Sequence, residues 1–407
     1  MTGIFNQYMS KNRSAAVGFI FVTLLIDVIG FGIIIPVMPK LLAEIKHISI
    51  NEASKYGGYL LFAFAVAQFL FSPIMGSLSD RFGRRPVLLF SLLGFGIDYL
   101  ILAFAPTYGW LVIGRILAGI TGASFTTASA YIADVSDDTN RAKNFGMIGA
   151  AFGLGFILGP FLGGILGQYG TRWPFYAAAA LSFVNLIYGY FILPESLAPE
   201  NRRPFNFKKA TPFITLKELL GYKVIAPLLI AFVCLHMGAH AVQSTWNYFT
   251  MFRFSWSESM VGYSLAVVGI IVAIVQTMLA QRAAQTFGNS KSIVLGFGLY
   301  AIGMFCFAFA TQSWMMFAFL IPYSLGGIAM PNLQSFLVSK VGVDQQGKLQ
   351  GGLTSLMSLT TIFGPLLMTN TFYYFTTPQA PFYFPGAAFF LGGIFMTLSF
   401  LIVLFKM

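Results

Sequence analysis

Long uncharged apolar stretches recur from one end of this chain to the other, and a chain built that way has few folds open to it. A helix rises about 1.5 Å per residue, so roughly 20 apolar residues cross the ~30 Å hydrocarbon core of a bilayer. Twelve stretches meet that length, at 15–38, 56–76, 87–106, 109–132, 145–167, 174–194, 224–248, 260–280, 292–312, 314–338, 351–374 and 380–405. Inside hydrocarbon the backbone must satisfy its own hydrogen bonds, which restricts such segments to helices. Charged residues make up only 9% of the chain, against about a quarter in soluble domains, and mean hydropathy is +0.77. The expected fold is an all-α membrane protein of twelve transmembrane helices with no soluble domain between them. The first span follows Lys11 and Arg13, exceeds a signal-peptide core and lacks a small-residue cleavage site, so it reads as a retained helix. Cys234 and Cys306 fall inside spans, where packing is the expected role rather than a disulfide or a metal site.

The net charge of +11 would suggest nucleic acid in a soluble protein, but the positions of the basic residues explain it as membrane topology. With both termini inside, cytoplasmic segments hold 18 of the 24 lysines and arginines. The outer loops hold Lys40, Lys46, Lys55, Arg172 and Arg253, which leaves Arg115 alone within a span. The expected location is a plasma or bacterial inner membrane. The longest polar stretch, 195–223, carries Arg202, Arg203, Lys208, Lys209, Lys217 and Lys223 and divides the spans six and six. The expected organisation is therefore an N-terminal bundle (1–194), a cytoplasmic linker (195–223) and a C-terminal bundle (224–407).

Between the second and third spans lies Gly76–Pro86, GSLSDRFGRRP, a tight turn holding Asp80, Arg81, Arg84 and Arg85 between apolar segments. A turn so charged belongs at the membrane surface, where it can lock and release neighbouring helices. Gly76 and Gly83 permit close backbone approach, and Asp80 has the look of a buried acid able to face a helix N-terminus or an arginine. The turn recurs: Gly76, Asp80 and Gly83 correspond in spacing to Gln281, Gln285 and Gly288, so the second copy has lost its acid. GPFLGG at 159–164 has a partial echo in GPLLMT at 364–369. Two pseudo-symmetric six-helix bundles arranged as parallel repeats imply a cavity at their interface and alternating access by rocking of the halves.

Four motifs in register, namely 76–86, Asp27 in DVIGFGIIIPVMP, Arg115 in GRILAGITGAS and GLGFILGPFLGG at 153–164, make the chain resemble the major facilitator superfamily. Within it the resemblance is to the drug:proton antiporters, most of all the tetracycline-efflux proteins. It runs over nearly the whole chain, strongest from Gln68 to Gly164. It implies the major facilitator fold, a cytoplasmic gating latch at Gly76, Asp80, Arg81, Gly83, Arg84 and Arg85 with Arg141 as a partner, and an antiporter signature at Gly155, Gly159, Pro160, Gly163 and Gly164. The glycines at 149, 153, 155, 159 and 163 recur at short helical spacings, forming a small-residue face expected to meet the other half of the molecule.

Asp27 and Asp98 are the only acids within hydrocarbon depth, where an unpaired charge costs a few kcal/mol or more. Burial disfavours a charged carboxylate and a nearby cation favours it, so an acid exposed alternately to two compartments can load and unload a proton. Asp27 is the leading carrier, because Gly30, Gly32, Pro36 and Pro39 make its helix easy to bend. Asp98 stands between coupling and structural pairing. Arg115 carries a permanent charge with no acid in its own span, so its partner comes from another helix, Asp27 first and Asp98 second. The resemblance implies that Arg115 assists proton transfer; a permanent structural ion pair is the alternative.

The C-terminal half departs from the tetracycline exporters. No acid lies in any of its spans; Tyr300 stands where those proteins carry an acid, and Val272 where they carry a histidine. His236 and His240 lie one turn apart with Gln243, Trp246 and Asn247 nearby. Structural hydrogen bonding is their default role, ligand contact the next. Gln68, Gln276, Asn332 and Gln334 complete the candidate substrate cavity. No phosphate-binding glycine loop is present, so the proton is the expected coupling ion and no cofactor is called for. The function expected is not enzymatic: a monomeric, proton-coupled antiporter exporting small amphipathic drugs, tetracycline-like compounds being the best guess, with or without a chelated divalent metal. A nutrient importer or facilitator on the same fold and a non-transporting membrane receptor are the alternatives.

Overall fold

The computed structural model describes residues 2–122, 124–137, 140–204, 226–341 and 345–406. Lys208, Lys209, Lys217 and Lys223 of the expected linker lie outside them. The described residues are helical, in the order α1 (Thr2–Ile33), α2 (Met38–Lys46), α3 (Ile50–Phe82), α4 (Arg84–Phe104), α5 (Tyr108–Thr121), α6 (Ser124–Val135), α7 (Arg141–Gly167) and α8 (Trp173–Ile192). After the linker come α9 (Ala226–Phe254), α10 (Glu258–Ile274), α11 (Ala280–Phe287), α12 (Asn289–Ala308), α13 (Ser313–Leu325), α14 (Ala329–Ser339), α15 (Gln346–Phe375) and α16 (Ala387–Lys406).

Among the described residues, eleven helical spans are long and apolar enough to cross a membrane, and the bent pair Val17–Ile33 with Met38–Lys46, taken as one span, makes a twelfth. The expected first span thus breaks by 47°. Pro36 and Pro39 withhold the amides that a continuous helix would need. The fourth span breaks at Gly122 between α5 and α6, and the tenth carries a 3₁₀ turn at Gly326–Ile328. Between α10 and α11 a π-helical turn, Val275–Leu279, interrupts the eighth.

The described residues divide into two compact units: those of 2–37 with 66–204, and those of 38–65 with 226–406. Sequence alone assigned 38–65 to the N-terminal bundle. Their contacts lie in the second unit, where Lys40 pairs with Glu258 at 2.7 Å and Asn51 bonds the Thr376 carbonyl at 3.3 Å. Gly57 lies against the Tyr248 ring, 2.8 Å from a Cβ built there to Cζ.

In the first unit α1 packs along α7 and α8, and α4 along α5 and α8. Phe19, Ile20, Leu24, Leu88, Tyr131 and Ile132 are buried together at its centre. A two-point polar clamp joins α1 to α8: Asn185 Nδ2 donates to the Thr23 carbonyl at 3.2 Å, and Thr23 Oγ1 donates to Asn185 Oδ1 at 3.3 Å. In the second unit α9 packs on α15 and α16, and α12 on α13 and α16. Trp246, Phe307 and Phe389 meet edge to face at its core.

Candidate functional site

Arg115 donates from Nη2 to Asp98 Oδ2, an ion pair whose side chains are 6% and 0% exposed. The sequence had ranked Asp27 ahead of Asp98 as this arginine's partner; the fold reverses that order, because α5 packs directly on α4. Gly114 leaves room for the acid: a Cβ there would sit 2.7 Å from Asp98 Oδ1. The pair is only half-bonded, since Asp98 Oδ1 and Arg115 Nε are buried without a hydrogen bond.

Asp27 lies on α1 with both carboxylate oxygens buried. Three residues on, Gly30 lies under Tyr99, the residue after Asp98, whose Oη is 3.2 Å from a Cβ built there. Thus α4 presents two consecutive residues to the two polar sites, Asp98 to Arg115 and Tyr99 to the Asp27 region. Tyr99 was not singled out from sequence, since a tyrosine in an apolar span carries no distinctive signal.

The glycine stripe resolves into two faces. A Cβ at Gly155 would lie 2.6 Å from Val28, one at Gly159 would lie 2.8 Å from Gly32 Cα, and one at Gly163 would strike the Ile33 carbonyl. Pro160 Cδ approaches Gly32 equally closely, and Gly164 is buried. A Cβ at Gly149 or Gly153 meets nothing within 4 Å. The expectation that one stripe faces the other half is therefore corrected at 155, 159 and 163, which pack on α1 of the same unit, just beyond Asp27. The two sets alternate because four-residue spacing keeps one face of a helix, while the two-residue step from 153 to 155 crosses to the other.

The expected turn at 76–86 is helical except at Gly83, with α3 running to Phe82 and α4 starting at Arg84; its buried member is Arg84, 10% exposed in its side chain, whereas Asp80 is 43% exposed. That corrects the expected burial of the acid. Arg84 donates to Asp80 at 2.5 Å, to Asp134 on α6 at 3.1 Å and to Ser79 Oγ at 2.7 Å. Arg81 is exposed and lies over the Phe82 ring, and Arg85 donates to the Tyr190 carbonyl at 2.6 Å. Gly83 takes φ +106°, a conformation glycine adopts freely, but Gly76 has open space where a Cβ would be, so no close approach requires glycine there. Arg141 opens α7, its amide bonded to the Asp137 carbonyl at 2.9 Å. Asp134 and Glu195, which holds the start of α4, were missed from sequence because they lie 50 and 111 residues from Arg84. A cavity of about 570 Å³ borders this cluster, lined by Asp80, Arg84, Asp134 and residues of 197–203.

Several of the expected cavity residues make hydrogen bonds within their own unit. Trp246 is a core residue, donating to Ser264 at 2.9 Å, and His240 packs against Gly364 of α15. His236 Nδ1 meets the carbonyl of Phe232, one turn earlier in its own helix, at 2.9 Å. Asn332 donates to the carbonyls of Ala280, at the end of the π turn, and Ile328. Gln68 donates to the Gly122 carbonyl at 3.3 Å where the fourth span breaks. Asn247 is buried, Gln334 half-buried, and Gln243 and Gln276 exposed. Tyr300 stacks edge to face with Tyr323, Val272 is half-buried, and Cys234 and Cys306 are free thiols.

Apolar helices in sufficient number to cross a membrane eleven or twelve times, with an ion pair and an acid buried at mid-span, define a multi-pass helical membrane protein of the transporter class. The chain belongs to the major facilitator superfamily, whose sequence profile matches residues 20–282 and 228–405, and within it to the branch of the tetracycline resistance proteins. It is 44% identical to the class C tetracycline resistance protein of Escherichia coli over 89% of this chain and 90% of that one. It is 36% identical to the class H protein of Pasteurella multocida, over 91% and 90%. A bacterial homologue of the human lysosomal transporter Spinster, solved inward-facing and occupied, shares the fold with a TM-score of 0.77 over 97% of this chain and 96% of that one at 13% identity.

Proposed function

We propose that this protein exports tetracycline-like drugs from the cytoplasm in exchange for protons, working by alternating access with both termini cytoplasmic. The observation that carries the reading is the pair of polar sites within one unit, Asp98 with Arg115 and the buried carboxylate of Asp27, one turn before the Gly30 on which Tyr99 packs. Charge held at such depth is costly and marks ion pathways. The tetracycline resistance proteins among its relatives support the drug class.

In this reading Asp27 carries the proton. Asp98 neutralises Arg115 in the conformation described; protonation of Asp98 would leave that guanidinium free to seek another carboxylate, which couples the two acids. The glycines 155, 159 and 163 seat α7 against α1 immediately beyond Asp27, so movement of α7 is felt at the carrier. The turn at 76–86 acts as the cytoplasmic latch through Arg84, Asp80 and Asp134. One proton entering down a membrane potential contributes about 2.3 kcal/mol per 100 mV toward expelling the drug. The substrate either carries a chelated divalent metal or does not, and the chain functions as a monomer.

Expression in a drug-sensitive bacterium should confer tetracycline resistance, and inverted vesicles should show drug uptake that collapses with the proton gradient. Asp27→Asn should abolish gradient-driven uptake. Intact proton-coupled uptake in that variant would remove Asp27 as the carrier; no resistance to any drug despite good expression would defeat the export reading.

A further inference from the structure

The turn at 76–86 and the first residues of the linker are held together by one carboxylate. Glu195 lies three residues past the end of α8. Its Oε1 accepts from the backbone amides of Arg84 at 2.8 Å, Ser196 at 3.0 Å and Leu197 at 3.0 Å, and its Oε2 accepts from the amide of Arg85 at 3.2 Å. Arg84 and Arg85 are the first two residues of α4, whose amides have no partner within the helix. The residue preceding them is Gly83, which has no side chain with which to cap. Glu195 supplies the cap from a distant part of the chain, placing negative charge where the helix dipole favours it. A Cβ at Gly83 would lie 2.7 Å from the Glu195 carboxyl carbon, so this glycine both turns the chain and makes room for the acid.

Further bonds tie the same segment to the same turn. Arg203 donates its amide to the Asp80 carbonyl at 3.0 Å, Ser196 Oγ donates to Asp134 at 3.0 Å, and Tyr131 Oη donates to the Pro194 carbonyl at 3.0 Å. Asp134 is thereby shared between Ser196 and Arg84.

The internal repeat provides a control. Gly288 occupies the position of Gly83: it precedes α12 and takes φ +79°. A Cβ there meets nothing within 4 Å, and Gln285, in the place of Asp80, is exposed. A cap needed merely to start a helix after this turn would be needed in both copies; among the described residues it covers Gly83 and not Gly288.

We propose that Glu195 is a positioning residue of the latch, joining the head of the linker to the start of α4 so that 194–203 and 80–86 engage and release as one unit. This rests on the gating role read for the turn. Glu195 acts through Arg84: by fixing the backbone at the start of α4 it sets the guanidinium between Asp80 and Asp134.

The test is Glu195→Gln in the full-length protein reconstituted in liposomes. One oxygen remains to accept from Arg84, but an amide nitrogen faces the Arg85 N–H. Hydrogen–deuterium exchange should accelerate at least about fivefold, the scale of a lost cap, in 80–86 and 194–203 together, and tetracycline turnover should fall with KM unchanged. Acceleration confined to Arg84 and Arg85, or wild-type exchange throughout, would overturn the proposal, as would wild-type turnover or a change in KM alone. If the wild-type protein transports no drug, the export reading fails and the exchange measurement alone decides the role of Glu195. Glu195→Asp, which keeps the charge on a shorter arm, should restore part of the protection.

Discussion

Removing the Asp98 carboxylate by Asp98→Asn should destabilise the protein far more than removing the ion pair altogether. The side chains of Asp98 and Arg115 are 0% and 6% exposed, so the variant leaves a guanidinium with almost no water to replace its partner. Breaking a buried pair by deleting one member costs about 3–5 kcal/mol, whereas replacing both members with apolar groups of similar volume is often neutral or better. The full penalty applies to the conformation described, where Arg115 Nε already lacks a hydrogen bond. Reversible unfolding in mixed micelles should therefore show losses of that order for Asp98→Asn, about half or less for Arg115→Met, since the orphaned acid can accept a proton, and recovery of most of the loss in Asp98→Asn with Arg115→Met. The cycle yields a coupling of several kcal/mol, and a smaller one when Asp27→Asn replaces the Asp98 substitution. Additive costs for Asp98 and Arg115 would refute the reasoning. Transport separates structure from mechanism: a double variant that folds well but no longer couples drug movement to protons makes the pair functional, and one that still couples makes it structural.

Gly163→Ala should lower stability by about 1–3 kcal/mol, the cost of overpacking a tight site, because its Cβ strikes the Ile33 carbonyl; Gly153→Ala on the same helix meets open space and should be near neutral. Thermal melting in detergent checks this, and equal losses would contradict the two-face assignment of α7. Gly83→Ala and Gly288→Ala both force a residue with a Cβ into positive φ, each at about 1–2 kcal/mol, but only Gly83→Ala also collides with Glu195. Transport rates should accordingly fall further for Gly83→Ala, and equal defects would mean that the Glu195 contact carries no function.

Hydrophobic periodicity and charge placement were enough to number the spans, because a bilayer imposes a length and forbids charge over it. The same physics picked out Asp27, Asp98 and Arg115, since charge in hydrocarbon is costly wherever the chain puts it, and the spacing of glycines and charges exposed the duplicated turn. Pairing was not legible in the same way. Arg115 had two acids within sequence reach of argument, and only the packing of α5 on α4 chose Asp98. The glycines of α7 formed one stripe in sequence and two faces in space, and the hydrogen bonds of Trp246 to Ser264, Asn332 to the Ala280 carbonyl and Gln68 to the Gly122 carbonyl were invisible in the chain. What the sequence by itself determined was the class of fold, the membrane and the residues too polar to be there without a reason. Which of those residues meet, and that a glutamate beyond the sixth span holds the turn after the second, only the tertiary structure decided, because hydrogen bonds between distant residues leave no periodicity in the chain.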